Sequence, residues 1–359
     1  MERTVDGTKS FFAAANSGYG FYSFYDEIFE ESSICERYII KGGPGTGKSR
    51  FMKEVAYKAQ CKGMDVLTYS CSSDPSSLDG VIVDRGERGR LCILDGTAPH
   101  ICEASIPGAR DSILNFCEFW DSDVLRAEKD GIIELGLKKS KAYHSASDCL
   151  RSSLMIRREF SKNAMSATDR EKLSAYVKKF VSSLDRSDTY FERIGLSGSF
   201  GMFGFYALGT YLKMAKSVIV IDNSYGNASL FLDCIFSFAR AGRISTYRSY
   251  DFLDPHTLDA VCLADVGISF ISSDLVSSDG EEKATRHVSM QRFTDKSERN
   301  VQKQHRKKIE AVDREIIKKA TYHMQGMHHA HFELEKIYSS SMDFSKKEAF
   351  TDDWIAKNL

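Results

Sequence analysis

Several things this chain lacks narrow what it can be. It has only 5 prolines in 359 residues, which argues against a fibrous repeat or a disordered polymer. Its net charge is −1, so no overall field draws it toward nucleic acid or an anionic membrane. No apolar run approaches the roughly 20 residues that a membrane helix needs. Phe11–Ala15 is apolar, but it is too short for a signal core and follows Glu2, Arg3, Asp6 and Lys9. The nine cysteines are scattered and include no Cys-x-x-Cys pair, which reads as free thiols in a reducing compartment rather than disulfides or a zinc site. Together these absences predict a cytoplasmic protein with no membrane insertion. What is present is globular: 42% hydrophobic and 28% charged residues, over a length that suits two domains.

The two halves of the chain resemble each other at a shift of about 180 residues. Ser73-Asp74-Pro75 through Leu78-Asp79-Gly80-Val81 meets Leu253-Asp254-Pro255 through Leu258-Asp259-Ala260-Val261. Tyr38-Ile39-Ile40 meets Val218-Ile219-Val220, and Phe51-Met52 meets Phe231-Leu232. The aromatic lead-in Tyr19–Tyr25 meets Phe200–Tyr206, and Ala142-Tyr143-His144 meets Thr321-Tyr322-His323. The matches keep the same order in both halves, so the sequence reads as a tandem duplication with a boundary near Ser183–Asp188. The expected domains are 1–185 and 186–359.

Each half alternates β-branched segments with amphipathic ones, which predicts an α/β fold with a parallel sheet covered by helices. Strands are expected at Arg37–Lys41, Asp65–Ser70, Val81–Asp84 and Leu91–Leu94, with a helix at Lys48–Cys61. The second half repeats them at Ser217–Asp222, Arg243–Tyr247, Val261–Ala264 and Ile268–Ser272, with a helix at Ser229–Ala241. Asp74-Pro75 reads as the cap and first residue of a short helix. Each half should end in a two-helix arm, over about Asp111–Val181 and Ser297–Asn358, broken near Ser161–Thr168 and Ser339–Asp343.

The chemistry concentrates at Gly42-Gly43-Pro44-Gly45-Thr46-Gly47-Lys48-Ser49, which fits Gly-x-x-x-x-Gly-Lys-Ser without mismatch between an expected strand and an expected helix. Glycines there allow left-handed backbone that aims successive N–H groups at a phosphate, and the helix N-terminus adds positive potential. Lys48 is expected to reach the β- and γ-phosphates, and Ser49 to ligate magnesium. Asp95, ending the strand Leu91–Leu94, is the candidate for the second magnesium contact. Gly96 follows it rather than a water-polarising Glu. His100 is a candidate base or γ-phosphate contact, with a structural role as its alternative.

The second half supplies an internal control. Asp222-Asn223-Ser224-Tyr225-Gly226-Asn227-Ala228-Ser229 stands where the first half has the glycine-rich loop, with Ala228 opposite Lys48 and Asp222 opposite Gly42. That copy should not hold a triphosphate. Asp74, Asp79 and the lead-in Tyr19–Tyr25 recur in both halves and read as structural. Ser72 and Ser73 do not recur.

Two weaker patterns remain. His323, His328, His329 and His331 lie near Glu333 and Glu335 on an expected helix. A metal site is conceivable there, but spacing alone places no third ligand. The stretch Arg299–Lys319 is rich in Lys and Arg, but Val301, Ile309, Val312 and Ile316 give it a buried stripe, so a solvated amphipathic helix is preferred to a nucleic-acid face.

The strings Tyr38–Ser49, Cys71–Val81 and Leu94-Asp95-Gly96-Thr97-Ala98-Pro99-His100 resemble a family of poorly characterised bacterial tandem P-loop ATPases, over the whole chain. The resemblance implies ATP binding, a cytoplasmic setting and two lobes. The family's second lobe often has a working loop, and this chain departs from it there. The expectation is therefore a magnesium-dependent ATPase with one active and one inactive half. ATP is favoured over GTP because no Asn-Lys-x-Asp motif occurs. A small-molecule kinase and a non-hydrolysing, ATP-gated binding module stand as alternatives. The partner, protein or small molecule, is unidentified by sequence.

Overall fold

The computed structural model describes residues 9–182, 184, 189–276 and 283–359, apart from the side chains of 296–302 and 304. The expected boundary at 183–188 lies, but for Leu184, outside the described residues.

The protein is α/β, with two six-stranded sheets. The first contains β1 (Lys9–Phe12), β4 (Ile34–Lys41), β5 (Asp65–Ser70), β6 (Leu78–Asp84), β7 (Arg90–Asp95) and β8 (Asp111–Asn115), in the order β1-β5-β6-β7-β4-β8. The second contains β9 (Glu192–Ile194), β12 (Ser217–Ile221), β13 (Thr246–Tyr250), β14 (Leu258–Leu263), β15 (Ile268–Ser272) and β16 (Arg286–Val288), in the order β9-β13-β14-β15-β12-β16. Order and strand direction match one for one, which suggests internal duplication. A hairpin accompanies each sheet: β2 (Ala14–Ser17) with β3 (Gly20–Ser23), and β10 (Gly198–Gly201) with β11 (Gly204–Ala207).

Both sheets are mixed, which corrects the expected parallel arrangement. β6 runs antiparallel to β5 and β7, and β14 to β13 and β15. The cause is connection length. Residues 71–77 and 85–89 are shorter than the dozen or so residues a parallel crossover requires, so the chain can only turn back. The short helix expected at Asp74-Pro75 is also absent. Asp74 Oδ1 accepts from Ser76 N (3.0 Å) and its carbonyl from Ser77 N (3.0 Å), closing a turn that enters β6 directly.

The helices are α1 (Tyr25–Phe29), α2 (Lys48–Cys61), α3 (Ser122–Ala127), α4 (Lys129–Ser166), α5 (Arg170–Val181), α6 (Thr210–Lys213), α7 (Ala228–Ala241), α8 (Lys296–Ser340) and α9 (Phe344–Asn358). The arm expected from Asp111 begins later, because residues 111–115 form the edge strand β8. Its breaks fall where expected, between α4 and α5 and between α8 and α9. No described helix is long and apolar enough to cross a membrane.

The helices α4 and α8 pack lengthwise and antiparallel. Lys139 meets His331 near one end, and Ser153 and Arg157 meet Asp313 toward the other. Each arm thereby carries its last helix to the opposite lobe. Leu173 and Val177 of α5 pack with Phe231 and Ile235 of α7, whereas Trp354 and Ile355 of α9 pack with Phe51 and Met52 of α2. The remaining faces of the two sheets share one core that includes Phe11, Ile39, Leu94, Val220, Tyr247 and Ile271. Phe12 and Leu196 exchange backbone hydrogen bonds of 2.9 Å across that junction. Arg37 of β4 is buried against Asp111 of β8 at 2.7 Å and also contacts Glu30.

Candidate functional site

β4 lies between the parallel strands β7 and β8, and its C-terminal end opens into residues 42–47, which lead to α2. Gly45 (φ 68°) and Gly47 (φ 81°) are left-handed, a conformation costly for residues with a Cβ. Gly47 is the N-cap of α2, and the buried Thr46 donates its hydroxyl to Gly43 O at 2.9 Å, holding the loop closed.

Lys48 is the first residue of α2. Its Nζ donates to Gly42 O (3.0 Å) and Gly43 O (2.6 Å) and lies 3.6 Å from Asp95 Oδ2. Asp95 ends β7 and pairs in register with Ile40, on the α2 side of the sheet. Its Oδ1 accepts from Thr97 N (2.9 Å) and Thr97 Oγ1 (2.5 Å). Burial pushes the Asp95 carboxyl up, Lys48 opposes this, and Asp79 adds to it. Ser49 Oγ accepts from Leu78 N at 2.9 Å, tying α2 to the start of β6.

His100 is buried, with Nε2 3.1 Å from Asp79 Oδ2. Its ring stacks on Tyr25 and meets Phe21 edge-on. Burial pulls its pKa down, but the charge and hydrogen bond of Asp79 push it up and prevail. Asp95 and Lys48 also act on it electrostatically, so the imidazole belongs to the same neighbourhood. The structure thus brings Lys48 and Asp95 into direct contact and partners His100 with Asp79, a residue that sequence reasoning read as structural. Ser72 and Ser73 face the second lobe instead: their carbonyls accept from Ser199 Oγ (3.0 Å) and Met202 N (3.2 Å).

The arm of the second half covers this loop, which the sequence did not reveal. A Cβ on Gly43 would stand 2.7 Å from the Tyr338 ring, and one on Gly45 would stand 2.5 Å from Glu335 O. Beside Gly47 lies Lys347 of α9, only 1% exposed, with its Nζ 3.7 Å from where a Cβ on Gly47 would stand. Burial, then Arg50, pull the Lys347 ammonium down from its ordinary value. The only available signal was the spacing of His331, Glu335 and Tyr338 along one helix face.

Within the histidine group, His331 Nδ1 lies 3.2 Å from Lys139 Nζ and Nε2 lies 3.5 Å from Glu335. Burial and Lys139 bring its pKa down to about 4. Among the described residues no three His, Cys, Asp or Glu side chains are grouped to hold a metal. In the basic stretch, Arg306 pairs with Glu310 and Lys318 with Glu315; the side chains of Arg299 and Val301 lie outside the described residues.

The second lobe differs in a way that ungapped alignment missed. Ile221 faces α7 as Ile40 faces α2, and pairs with Ser272 as Ile40 pairs with Asp95. This register places Asn223, rather than Asp222, opposite Gly42. Gly226 (φ 71°) matches Gly45, but α7 begins at Ala228, so the loop is one residue shorter, and its N-cap is Asn227 (φ −119°) rather than a left-handed glycine. Ser161 of α4 sits against Gly226, as Glu335 of α8 sits against Gly45. No family model matches this chain, and neither a curated protein nor a solved structure does.

Proposed function

We propose that the protein binds ATP with magnesium at residues 42–49 and hydrolyses it slowly, with the second lobe inactive toward ATP. One observation carries the reading. A loop with two left-handed glycines joins a central strand to a helix and sets Lys48 3.6 Å from Asp95, at the tip of the adjacent parallel strand. Loop N–H groups and the N-terminus of α2 receive phosphate oxygens, and Lys48 exchanges its carbonyl partners for the β- and γ-phosphates.

Ser49 and Asp95 suit the magnesium contacts. The Ser49 hydroxyl keeps a free lone pair beyond the bond from Leu78 N, and Asp95 keeps Oδ2 free of Thr97. When bound, the ion neutralises charge on the β- and γ-phosphate oxygens. No carboxylate follows Asp95 to orient water, and His100 is committed to Asp79, so turnover in isolation is slow. The resemblance to tandem P-loop ATPases points the same way, and Ala228 in place of Lys48 leaves the second loop without its phosphate-binding cation.

The test is single-turnover hydrolysis of radiolabelled ATP with magnesium, comparing native protein with Lys48→Ala. Slow turnover that the substitution abolishes is expected. A native protein that binds no ATP overturns the reading, and turnover in the tens per second overturns its slow-hydrolysis component.

A further inference from the structure

The two lobes share a scaffold but differ in charge at matched places. In the first, Asp79 is the second residue of β6 and its Oδ2 meets His100, whose ring lies edge-on to Phe21. Asp259 is likewise the second residue of β14, and the hairpins equate Phe21 with Phe205, one residue after the left-handed Gly20 and Gly204. Among the described residues no histidine stands between Asp259 and Phe205. Both instead line a cavity of about 930 Å³.

Asp259 is only 5% exposed, and its Oδ1 has no hydrogen-bond partner among the described residues. Burial and the neighbouring Asp251 hold its carboxyl up to about 8. The cavity has also gained acids. Asp251 N donates to Thr257 O as Cys71 N donates to Ser77 O, so a carboxyl replaces the Cys71 thiol. Asp274 takes the place of Thr97, two residues beyond Ser272 and Asp95 respectively. Ala228 meanwhile replaces Lys48.

The cavity's arginines have partners: Arg157 pairs with Asp313 and also acts electrostatically on Asp251 and Asp274, Arg158 pairs with Asp254 and Arg306 with Glu310. Phe200 and Phe205 each pack on Phe252, adding aromatic surface to the wall. Asp251 accepts from Leu253 N and Asp254 N, and Asp274 from Asn223 Nδ2, which leaves Asp259 Oδ1 as the buried, partnerless carboxyl oxygen among the three. A buried acceptor of that kind in an aromatic-walled cavity suits a cation that donates N–H bonds and offers a flat or slender head.

From this charge inversion we infer that the second lobe binds a small organic cation, its guanidinium, imidazolium or ammonium head seated between Asp259 and Phe205 where the first lobe seats His100. The ligand supplies in trans the partner that His100 supplies to Asp79. This inference stands apart from nucleotide binding in the first lobe.

The experiment is calorimetric titration of the full chain with agmatine and, separately, with imidazole. The variants are Asp259→Asn, Phe205→Ala and Lys48→Ala. The native protein is expected to bind at least one probe with a Kd of about 1 mM or tighter. Asp259→Asn should weaken it about tenfold or more without lowering the unfolding temperature, because the amide keeps the volume but cannot ionise to meet the cation. Phe205→Ala should weaken it too, and decides the matter if Asp259→Asn fails to fold. Lys48→Ala should leave binding unchanged. Absence of binding by both probes, or affinity indifferent to Asp259 and Phe205, overturns the inference.

Discussion

The carbonyl oxygen of Glu335 stands 2.5 Å from the point where a Cβ on Gly45 would lie, so the glycine-rich loop of one lobe is fitted to the backbone of the other half's arm. Gly45→Ala combines two costs: a side chain in left-handed backbone, and a clash with helix α8 that no rotamer relieves. The expected loss is about 2–4 kcal/mol in denaturant unfolding. Gly63→Ala separates the two, because its φ is +76° with nothing within 4 Å of the added carbon. It should cost only about 1 kcal/mol. Equal costs at both positions would mean that the arm does not press on the loop.

The pair Arg37–Asp111 makes a prediction in pH. Burial alone would raise the Asp111 carboxyl, but hydrogen bonds from Arg37, Arg110 and Ile106 N overcome it and hold the group far below the ordinary carboxylate range. A depressed folded pKa gives stability that is present above the unfolded value, about 4, and is lost as pH falls below it toward the folded value. The native protein should lose stability across that acid range, and Asp111→Asn should flatten this part of the profile. At neutral pH the same substitution leaves the buried Arg37 with Glu30 as its remaining carboxylate beside Glu103 O and Ser105 Oγ, and should cost about 3 kcal/mol. Urea unfolding between acid and neutral pH checks both statements.

The first lobe was largely legible because its elements are set by local rules. The β-branched run at Tyr38–Lys41, the glycines and the amphipathic run after Lys48 place β4, the loop and α2 (Lys48–Cys61) where expected. Strand direction was not legible: periodicity is the same in a parallel and an antiparallel strand, and only the shortness of residues 71–77 turns β6 around. Nor was the covering of the loop, because Lys347 and Gly47 lie about 300 positions apart in sequence and meet only through the antiparallel pairing of α4 with α8. Pattern also could not separate Asp79 from Asp259, which recur at one scaffold position although the first faces a histidine and the second a cavity.

Lys347 carries the sharpest prediction, since its two effects have opposite signs. Its ammonium is buried beside the N-terminus of α2, where Arg50 adds repulsion and the carboxylates of Glu54, Glu348 and Asp352 oppose it only in part. A buried cation at the positive end of a helix is costly. Lys347→Met keeps the volume and should raise stability by about 1–3 kcal/mol in nucleotide-free protein. The folded pKa is lowered, so the native folded state holds this proton less tightly than the unfolded state. The penalty is therefore full below the folded value and fades as pH rises toward about 10.4. The advantage of the methionine variant should shrink over that range. Bound triphosphate would give the ammonium a close anion beyond the carboxylates around it, so Lys347→Met should also weaken ATP binding about tenfold, one charge-assisted contact being worth about 1.5–3 kcal/mol. Thermal unfolding with and without ATP reads both effects, and the ATP-induced rise in Tm should be smaller in the variant. A less stable variant with undiminished ATP affinity would make Lys347 a packing residue and leave the loop to bind phosphate through Lys48 alone.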